Sequence, residues 1–155
     1  DNIRRYLPPR SVRIRVHPDD DAFEIFARVI AARTVGAPAI VSVPPGVVPP
    51  MVDLLDRLTE SWGASVEFVE ESDDDLVALI TARGTDRVRY AAPERVPTAV
   101  LAAVGDSGIF IARDPVLMEG RVELMWYLAE QSISYDYHRY GNLGARADEE
   151  RAPVS

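Results

Sequence analysis

Two runs of three aspartates, Asp19–Asp21 and Asp73–Asp75, are the densest clusters of chemically capable side chains in this sequence. Carboxylates at this spacing are suited to binding a divalent cation through their oxygens. Each run, however, directly precedes apolar residues at helical spacing, where an aspartate caps the first turn and complements the helix dipole. We therefore interpret both runs as helix starts, and we predict no metal site.

Nucleophiles and general bases are scarce. His17 and His138 each lack a second histidine three or four residues away, so both are interpreted as structural rather than as ligands or bases. Ser107 lies in a helix-to-strand turn and not in a nucleophile elbow. The chain has no cysteine, and all seventeen basic residues are arginine. This excludes thiol nucleophiles, zinc–thiolate sites and Schiff bases, so the sequence predicts no catalytic residue.

A dinucleotide site needs a glycine-rich turn from strand to helix, whose backbone N–H groups hold the pyrophosphate. The first three such turns of this chain do not provide one. His17–Asp21 and Glu70–Asp75 carry several carboxylates, which repel phosphate, and Pro44–Pro50 is rich in prolines, which have no N–H to donate. We therefore predict that this domain binds no cofactor.

The pattern of apolar residues places these turns within an alternation of strands and helices. Five strands are predicted, at Ser11–Val16, Ala39–Val43, Ala64–Val69, Arg87–Ala91 and Ile109–Ala112. Amphipathic helices follow each of them, the last over Arg121–Gln131. This order is typical of βαβ crossovers and a parallel sheet. The predicted fold is a Rossmann-like three-layer α/β domain with a mainly parallel five-stranded sheet and an extended C-terminal tail.

Two details of this pattern bear on burial. The first helix has apolar residues at helical spacing that are expected to face the core, namely Phe23, Phe26, Ala27 and Ile30. Trp62 is likewise expected in the core. Three of the strands alternate apolar and charged residues, whereas strands buried on both faces are apolar throughout. We therefore expect one face of the sheet to be partly open or covered by a partner.

The domain organisation follows from where the periodicity begins and ends. Residues 1–10 are predicted to be a connector, because Pro8-Pro9 favours an extended chain. Residues 11–131 form the Rossmann-like domain, 132–144 a docking tail and 145–155 a disordered end. The arginines near the start suit either a docking arm for an acidic surface or a solvated strand face.

The tail has the composition of an interface. Three tyrosines, a histidine and an arginine lie within Tyr135–Tyr140, and tyrosine and arginine are enriched where proteins bind each other. The alternative is an unstructured C-terminus. Just before the tail, Leu124, Met125 and Leu128 already form the apolar stripe of the last helix. Trp126 and Tyr127 are therefore expected to face either the core or a partner. The predicted interface residues are Trp126, Tyr127, Tyr135, Tyr137, His138, Arg139, Tyr140 and Asn142.

Both ends of the chain resemble a known family. The stretches Glu119–Leu124, Tyr127–Leu128, Glu130–Ser134 and His138–Leu143 look like the C-terminal end of long proline utilization A proteins. The opening Asp1–Pro8 is similar to the segment that leaves their aldehyde dehydrogenase module. The acidic end after Gly144 and the middle of the chain do not match the family motif by motif.

The resemblance implies a function for the chain. These proteins are bifunctional: an FAD-dependent proline dehydrogenase and an NAD-dependent L-glutamate γ-semialdehyde dehydrogenase are joined by an internal tunnel. Their C-terminal domain resembles an aldehyde dehydrogenase Rossmann domain, is non-catalytic, covers the dehydrogenase module and helps seal the tunnel. A monofunctional semialdehyde dehydrogenase with the same extension is the alternative host.

Charge and hydropathy limit the other possibilities. The net charge of −8 disfavours nucleic acid as a partner, and no apolar run is long enough to span a bilayer, so we expect a cytoplasmic protein. An independent small-molecule or nucleotide-binding module is the main alternative function. A receiver-like signalling domain ranks last, because its phosphorylation chemistry needs a lysine. A lid should expose an apolar or aromatic patch, whereas a free-standing binder should have a deep pocket.

Overall fold

The computed structural model describes residues 2–46 and 50–134 of the chain. The strands are β1 (Asn2–Leu7), β2 (Val12–Arg15), β3 (Ala39–Val43), β4 (Val66–Glu70), β5 (Arg87–Arg89), β6 (Phe110–Ala112) and β7 (Ala129–Ser134). The helices are α1 (Ala22–Val35), α2 (Pro50–Thr59), α3 (Asp73–Thr81), α4 (Thr98–Ser107) and α5 (Gly120–Met125). Short 3₁₀ segments cover Glu60–Ser65 and Pro93–Arg95.

The central sheet has five parallel strands in the order β4-β3-β2-β5-β6. This confirms the predicted Rossmann-like α/β fold with a mainly parallel five-stranded sheet. Helices cover both faces and form two cores. One core joins Val12 and Ile14 of β2 to α1 and α2, and the other joins Val88 of β5 to α3 and α4.

Both aspartate runs begin helices, as predicted. Asp21 accepts the backbone N–H of Glu24 at 2.7 Å, and the Glu24 carboxylate accepts the N–H of Asp21 at 2.9 Å. Ser72 and Asp75 form the same reciprocal capping box at the start of α3. Gly36 ends α1 with a φ of 76°, a left-handed conformation that glycine adopts without strain.

The prediction of which side chains of α1 are buried is wrong in part. Phe23 and Ile30 are exposed, at 44% and 48%, whereas Ile25 and Val29 face the sheet. The helix carries two apolar stripes, and the stripe that packs on the sheet also buries the side chain of Arg28. Trp62 is only partly buried, against the same core, with the guanidinium of Arg33 lying 5.8 Å from its ring centre.

The largest departure concerns the two ends of the domain. Helix α5 ends at Met125 rather than at Gln131, and Ala129–Ser134 is a strand that pairs antiparallel with Asn2–Leu7. The predicted connector and the start of the predicted tail therefore form a two-stranded ribbon, which crosses the expected domain boundary at residue 131. The remainder of the predicted tail and the predicted disordered end, from residue 135 onward, lie outside the described residues.

Candidate interaction surface

The crevice between the carboxyl ends of β2 and β5 is where a Rossmann-like domain binds its ligand, because successive crossovers diverge there. In this chain, ion pairs fill it. Arg95 donates to Asp20 at 2.7 Å and to Glu24 at 2.7 Å, and Arg28 donates to the second oxygen of Asp20. The side chains of Asp20 and Arg28 are fully buried. The acidic turn that follows β2 is thus held by arginines of the same chain.

A second buried network lies beside it, on the α3 side of the sheet. Arg13 contacts Glu71 at 2.9 Å, and Arg15 contacts Asp73 at 2.6 Å. The hydroxyl of Ser42 joins the two, because it accepts from Arg15 and donates to Glu71. Arg13 and Arg15 are only 8% and 2% exposed, so the charged positions of β2 do not mark an open sheet face. That expectation was wrong for β2 because carboxylates from distant turns neutralise its arginines.

Tyr127 was predicted as an interface residue, but its side chain is fully buried and belongs to a third buried cluster. Its hydroxyl donates to Glu123 at 2.9 Å, and Glu123 accepts two further hydrogen bonds from Arg89, at 2.9 and 2.7 Å. Burial, together with the nearby Glu123 charge, holds the pKa of Tyr127 well above its ordinary value. The cluster fastens α5 to the sheet and thereby fixes where the chain enters β7.

Trp126 is half-buried at the edge of the sheet. Its ring stacks on Phe110 of the edge strand β6, with ring centres 6.4 Å apart, and Phe110 is 47% exposed. The guanidinium of Arg87 lies over the same Phe110 ring, 4.7 Å from its centre. The same guanidinium donates to the backbone carbonyls of Trp126 and Leu128. These contacts hold the turn that leads into the ribbon.

The ribbon formed by β1 and β7 is exposed along almost its whole length. Residues of β1 lie opposite those of β7 from Asn2↔Ser134 to Leu7↔Ala129. Only Ile3 and Ile133, which face each other, are partly buried. The outer edge of each strand carries backbone N–H and C=O groups that have no strand beside them in the described part of the chain. The strand β1 is not predicted from the sequence, although Ile3 and Leu7 give it an apolar side.

A second apolar surface lies between α1 and α5. The exposed residues Phe23, Ile30, Leu117 and Met118 line an open groove of about 270 Å³. Among the described residues that line it, Glu123 alone is charged, and it is already bound by Arg89 and Tyr127. An open apolar groove of this kind lacks the converging polar groups that orient a small molecule.

The other predicted positions divide into two groups. Six predicted interface residues lie outside the described part of the chain, and these are Tyr135, Tyr137, His138, Arg139, Tyr140 and Asn142. His17 lies in the loop between β2 and α1, and Ser107 is the last residue of α4. The Nδ1 of His17 accepts from the N–H of Asp19, and the hydroxyl of Ser107 accepts from the N–H of Ile109. Among the described residues, no three acidic, histidine or cysteine side chains are grouped as metal ligands, and no helix could cross a membrane.

Comparison with known proteins relates the chain by fold alone. No protein-family model matches it, and no curated protein matches it. The substrate-bound state of AldH from Staphylococcus aureus aligns with a TM-score of 0.51 and 20% identity, over 71% of this chain. That alignment spans 24% of AldH, so this chain corresponds to about a quarter of that protein.

Two further solved structures align less well. A universal stress protein in complex with cAMP gives a TM-score of 0.42 at 16% identity, covering 73% of this chain and 98% of that protein. Methylglyoxal synthase from Elizabethkingia anophelis gives 0.47 at 15% identity, covering 99% of both chains. At 20% identity, the similarity to AldH is a similarity of the α/β fold alone.

Proposed function

We propose that this chain is a non-catalytic interaction domain that covers the semialdehyde dehydrogenase module of a bifunctional, proline-catabolic enzyme. The exposed ribbon of β1 and β7 is the observation that carries the proposal. Of the stretches that resemble proline utilization A proteins, the opening one and Glu130–Ser134 pair with each other in this ribbon. Similarity in fold to an aldehyde dehydrogenase supports the same relationship.

The ribbon needs a partner for a physical reason. An isolated two-stranded ribbon is marginally stable in water, because it buries little apolar surface and leaves both edges without hydrogen-bond partners. Here the two strands come from opposite ends of the domain, so no tight turn fixes their register. A surface that adds a strand to one edge, or that covers one face, would supply the missing stabilisation.

The filled crevice argues against a ligand of the domain's own. A nucleotide entering between β2 and β5 would have to displace Arg95 from Asp20 and Glu24, leaving the fully buried Asp20 with one cation fewer. Removing one partner from a buried, hydrogen-bonded charge pair costs about 3–5 kcal/mol. The domain then acts through its surface, while FAD and NAD belong to the catalytic modules of a cytoplasmic host enzyme.

The proposed role of the tail is steric. Tyr135–Leu143 would fill a groove of the dehydrogenase module and keep the intermediate inside the tunnel, without proton transfer by His138. Tyrosine rings bury area at low entropic cost, and Arg139 can bind a carboxylate with two hydrogen bonds. Gly141 and Gly144 permit a tight turn after it.

The test is a deletion of Ser132–Ser155 from the full-length enzyme. We expect semialdehyde oxidation to persist, while NADH formation from proline shows a lag because the intermediate escapes before transfer. His138→Ala is the matched control and should behave like the wild-type enzyme. Loss of semialdehyde oxidation in the folded His138→Ala variant would show a catalytic histidine, and unchanged transfer after the deletion would refute the lid.

A further inference from the structure

The two faces of the ribbon differ in chemistry. On one face lie three cross-strand pairs, Ile3 with Ile133, Arg5 with Gln131, and Leu7 with Ala129. Because side chains alternate along a strand, the intervening residues form the opposite face, which is polar. There the hydroxyl of Ser134 donates to the Asn2 side chain at 2.6 Å, and Arg4 forms an ion pair with Glu130 at 3.1 Å. The first face, here called the apolar face, is the one suited to burial.

Arg5 lies in the middle of the apolar face, where no carboxylate of the described residues balances its charge. Its Nε donates to the side-chain oxygen of Gln131, a neutral amide, and no carboxylate lies within ion-pair distance of it among the described residues. Arg4, one residue earlier, differs because Glu130 neutralises it. A guanidinium has five N–H donors, and within the described part of the chain one donor of Arg5 is used, in the bond to Gln131.

The unbalanced charge limits what can cover this face. Burying Ile3 and Leu7 against a partner also takes the guanidinium of Arg5 out of water, and a buried charge is costly unless it is paired and hydrogen-bonded. A carboxylate is the best match, because its two oxygens accept two parallel N–H bonds from a guanidinium. The neighbouring apolar side chains lie two residues away, roughly 7 Å along the strand.

We propose that the partner surface of this ribbon is an apolar strip interrupted by one carboxylate, which binds the guanidinium of Arg5. The inference rests on the proposed function, since it names the chemistry of the surface that the domain covers. The strip must present apolar side chains on both sides of its carboxylate to meet Ile3 and Leu7. Such a surface selects the apolar face over the polar face and sets the register of the ribbon on its partner.

The experiment compares Arg5→Glu with Arg4→Glu in the full-length enzyme, by hydrogen exchange of the amides in residues 2–7 and 129–134. The two variants make the same charge change at adjacent residues on opposite faces of one strand. In the wild-type enzyme these amides should exchange more slowly than in the isolated chain. Arg5→Glu should raise their exchange rate at least about thirtyfold, because losing one partner of a buried charge pair costs about 2 kcal/mol or more and each 1.4 kcal/mol is a factor of ten. Arg4→Glu should raise it less than about threefold, as for an exposed ion pair.

The outcomes separate the inference from the function on which it rests. Equal exchange of the ribbon in the wild-type enzyme and the isolated chain would overturn the proposed function and the inference with it. Slower exchange in the enzyme, with Arg4→Glu and Arg5→Glu acting equally, would overturn the inference alone. Melting curves of both variants as isolated chains control for damage to the ribbon itself, and we expect them to match because both side chains are exposed.

Discussion

Replacing Glu123 by glutamine tests the buried cluster that fastens α5 to the sheet. The Glu123 side chain is 3% exposed and that of Arg89 is fully buried, and two hydrogen bonds of 2.9 and 2.7 Å join them. Glutamine keeps one acceptor for Tyr127 but removes the charge. The retained oxygen can also accept from the Nε of Arg89, but the Nη2 of Arg89 loses its acceptor and the buried guanidinium loses its counter-charge.

The expected loss is large for a domain of this size. An uncompensated buried charge costs about 3–5 kcal/mol, against a total unfolding free energy of about 5–15 kcal/mol. With a urea m-value of about 2 kcal/mol/M, the unfolding midpoint should fall by about 1.5–2.5 M. Tryptophan fluorescence during urea titration of the isolated chain measures it, and an unchanged m-value would show that stability alone has changed.

Glu119→Gln is the matched control for this variant. Glu119 precedes the same helix and pairs with Arg121 at 3.1 Å, but both side chains are largely exposed, so we expect the unfolding midpoint of this variant to stay close to that of the wild type. The double variant Arg89→Met with Glu123→Leu removes both charges together, and it should lie closer to wild type than Glu123→Gln does. If the urea midpoint of Glu123→Gln were the same as that of Glu119→Gln, the reasoning from burial would be refuted.

Two further predictions follow from the ion pairs. Hydrogen bonds from Arg10 hold the pKa of Asp86 below its ordinary value, so its contribution is full above the unfolded pKa of about 4 and is lost as pH falls through the lower folded value. Asp86→Asn should therefore lower the melting temperature slightly near neutral pH and not at about pH 2, and equal losses at both would contradict this. Titration calorimetry of the isolated chain with NAD should show only heat of dilution, because Arg95, Asp20 and Glu24 fill the crevice; a saturable isotherm would favour the small-molecule-binding alternative.

The parts of the fold that could be predicted from the sequence are those encoded locally. The capping boxes at Asp21 and Ser72 need only residues three apart, and the five strands need only short segments that are apolar or alternate apolar and charged residues. The pairing of β1 with β7 joins residues more than 120 positions apart, such as Arg5 and Gln131. No local pattern indicates that pairing. For this reason the sequence predicts a connector at Asn2–Leu7 and helix at Ala129–Gln131, where the structure has strands.

The buried arginines could not be predicted for a related reason. An arginine that alternates with apolar residues has the same pattern whether it faces water or a carboxylate. Arg13 finds its partner Glu71 58 positions away, and Arg89 finds Glu123 34 positions away. The choice between exposure and burial depends on those distant turns. The burial of Tyr127 could not be predicted for the same reason. Tyr127 lies outside the apolar stripe of the predicted helix, yet its side chain is buried and its hydroxyl donates to Glu123.

The use of arginine in these networks bears on how the domain works. Arg15 binds Ser42, the carbonyl of Glu71 and Asp73 at once, and Arg28 similarly binds Asp20 and the carbonyls of Glu24 and Arg15. A lysine ammonium lacks the planar fork with which a guanidinium reaches several acceptors. The carboxyl edge of the sheet is therefore cross-linked to its turns. Through Arg89 and Arg87 the same cross-linking holds α5 and the turn that enters β7. In the proposed covering role, docking would then have to order only the exposed ribbon and not the α/β core, which limits the conformational entropy that binding costs.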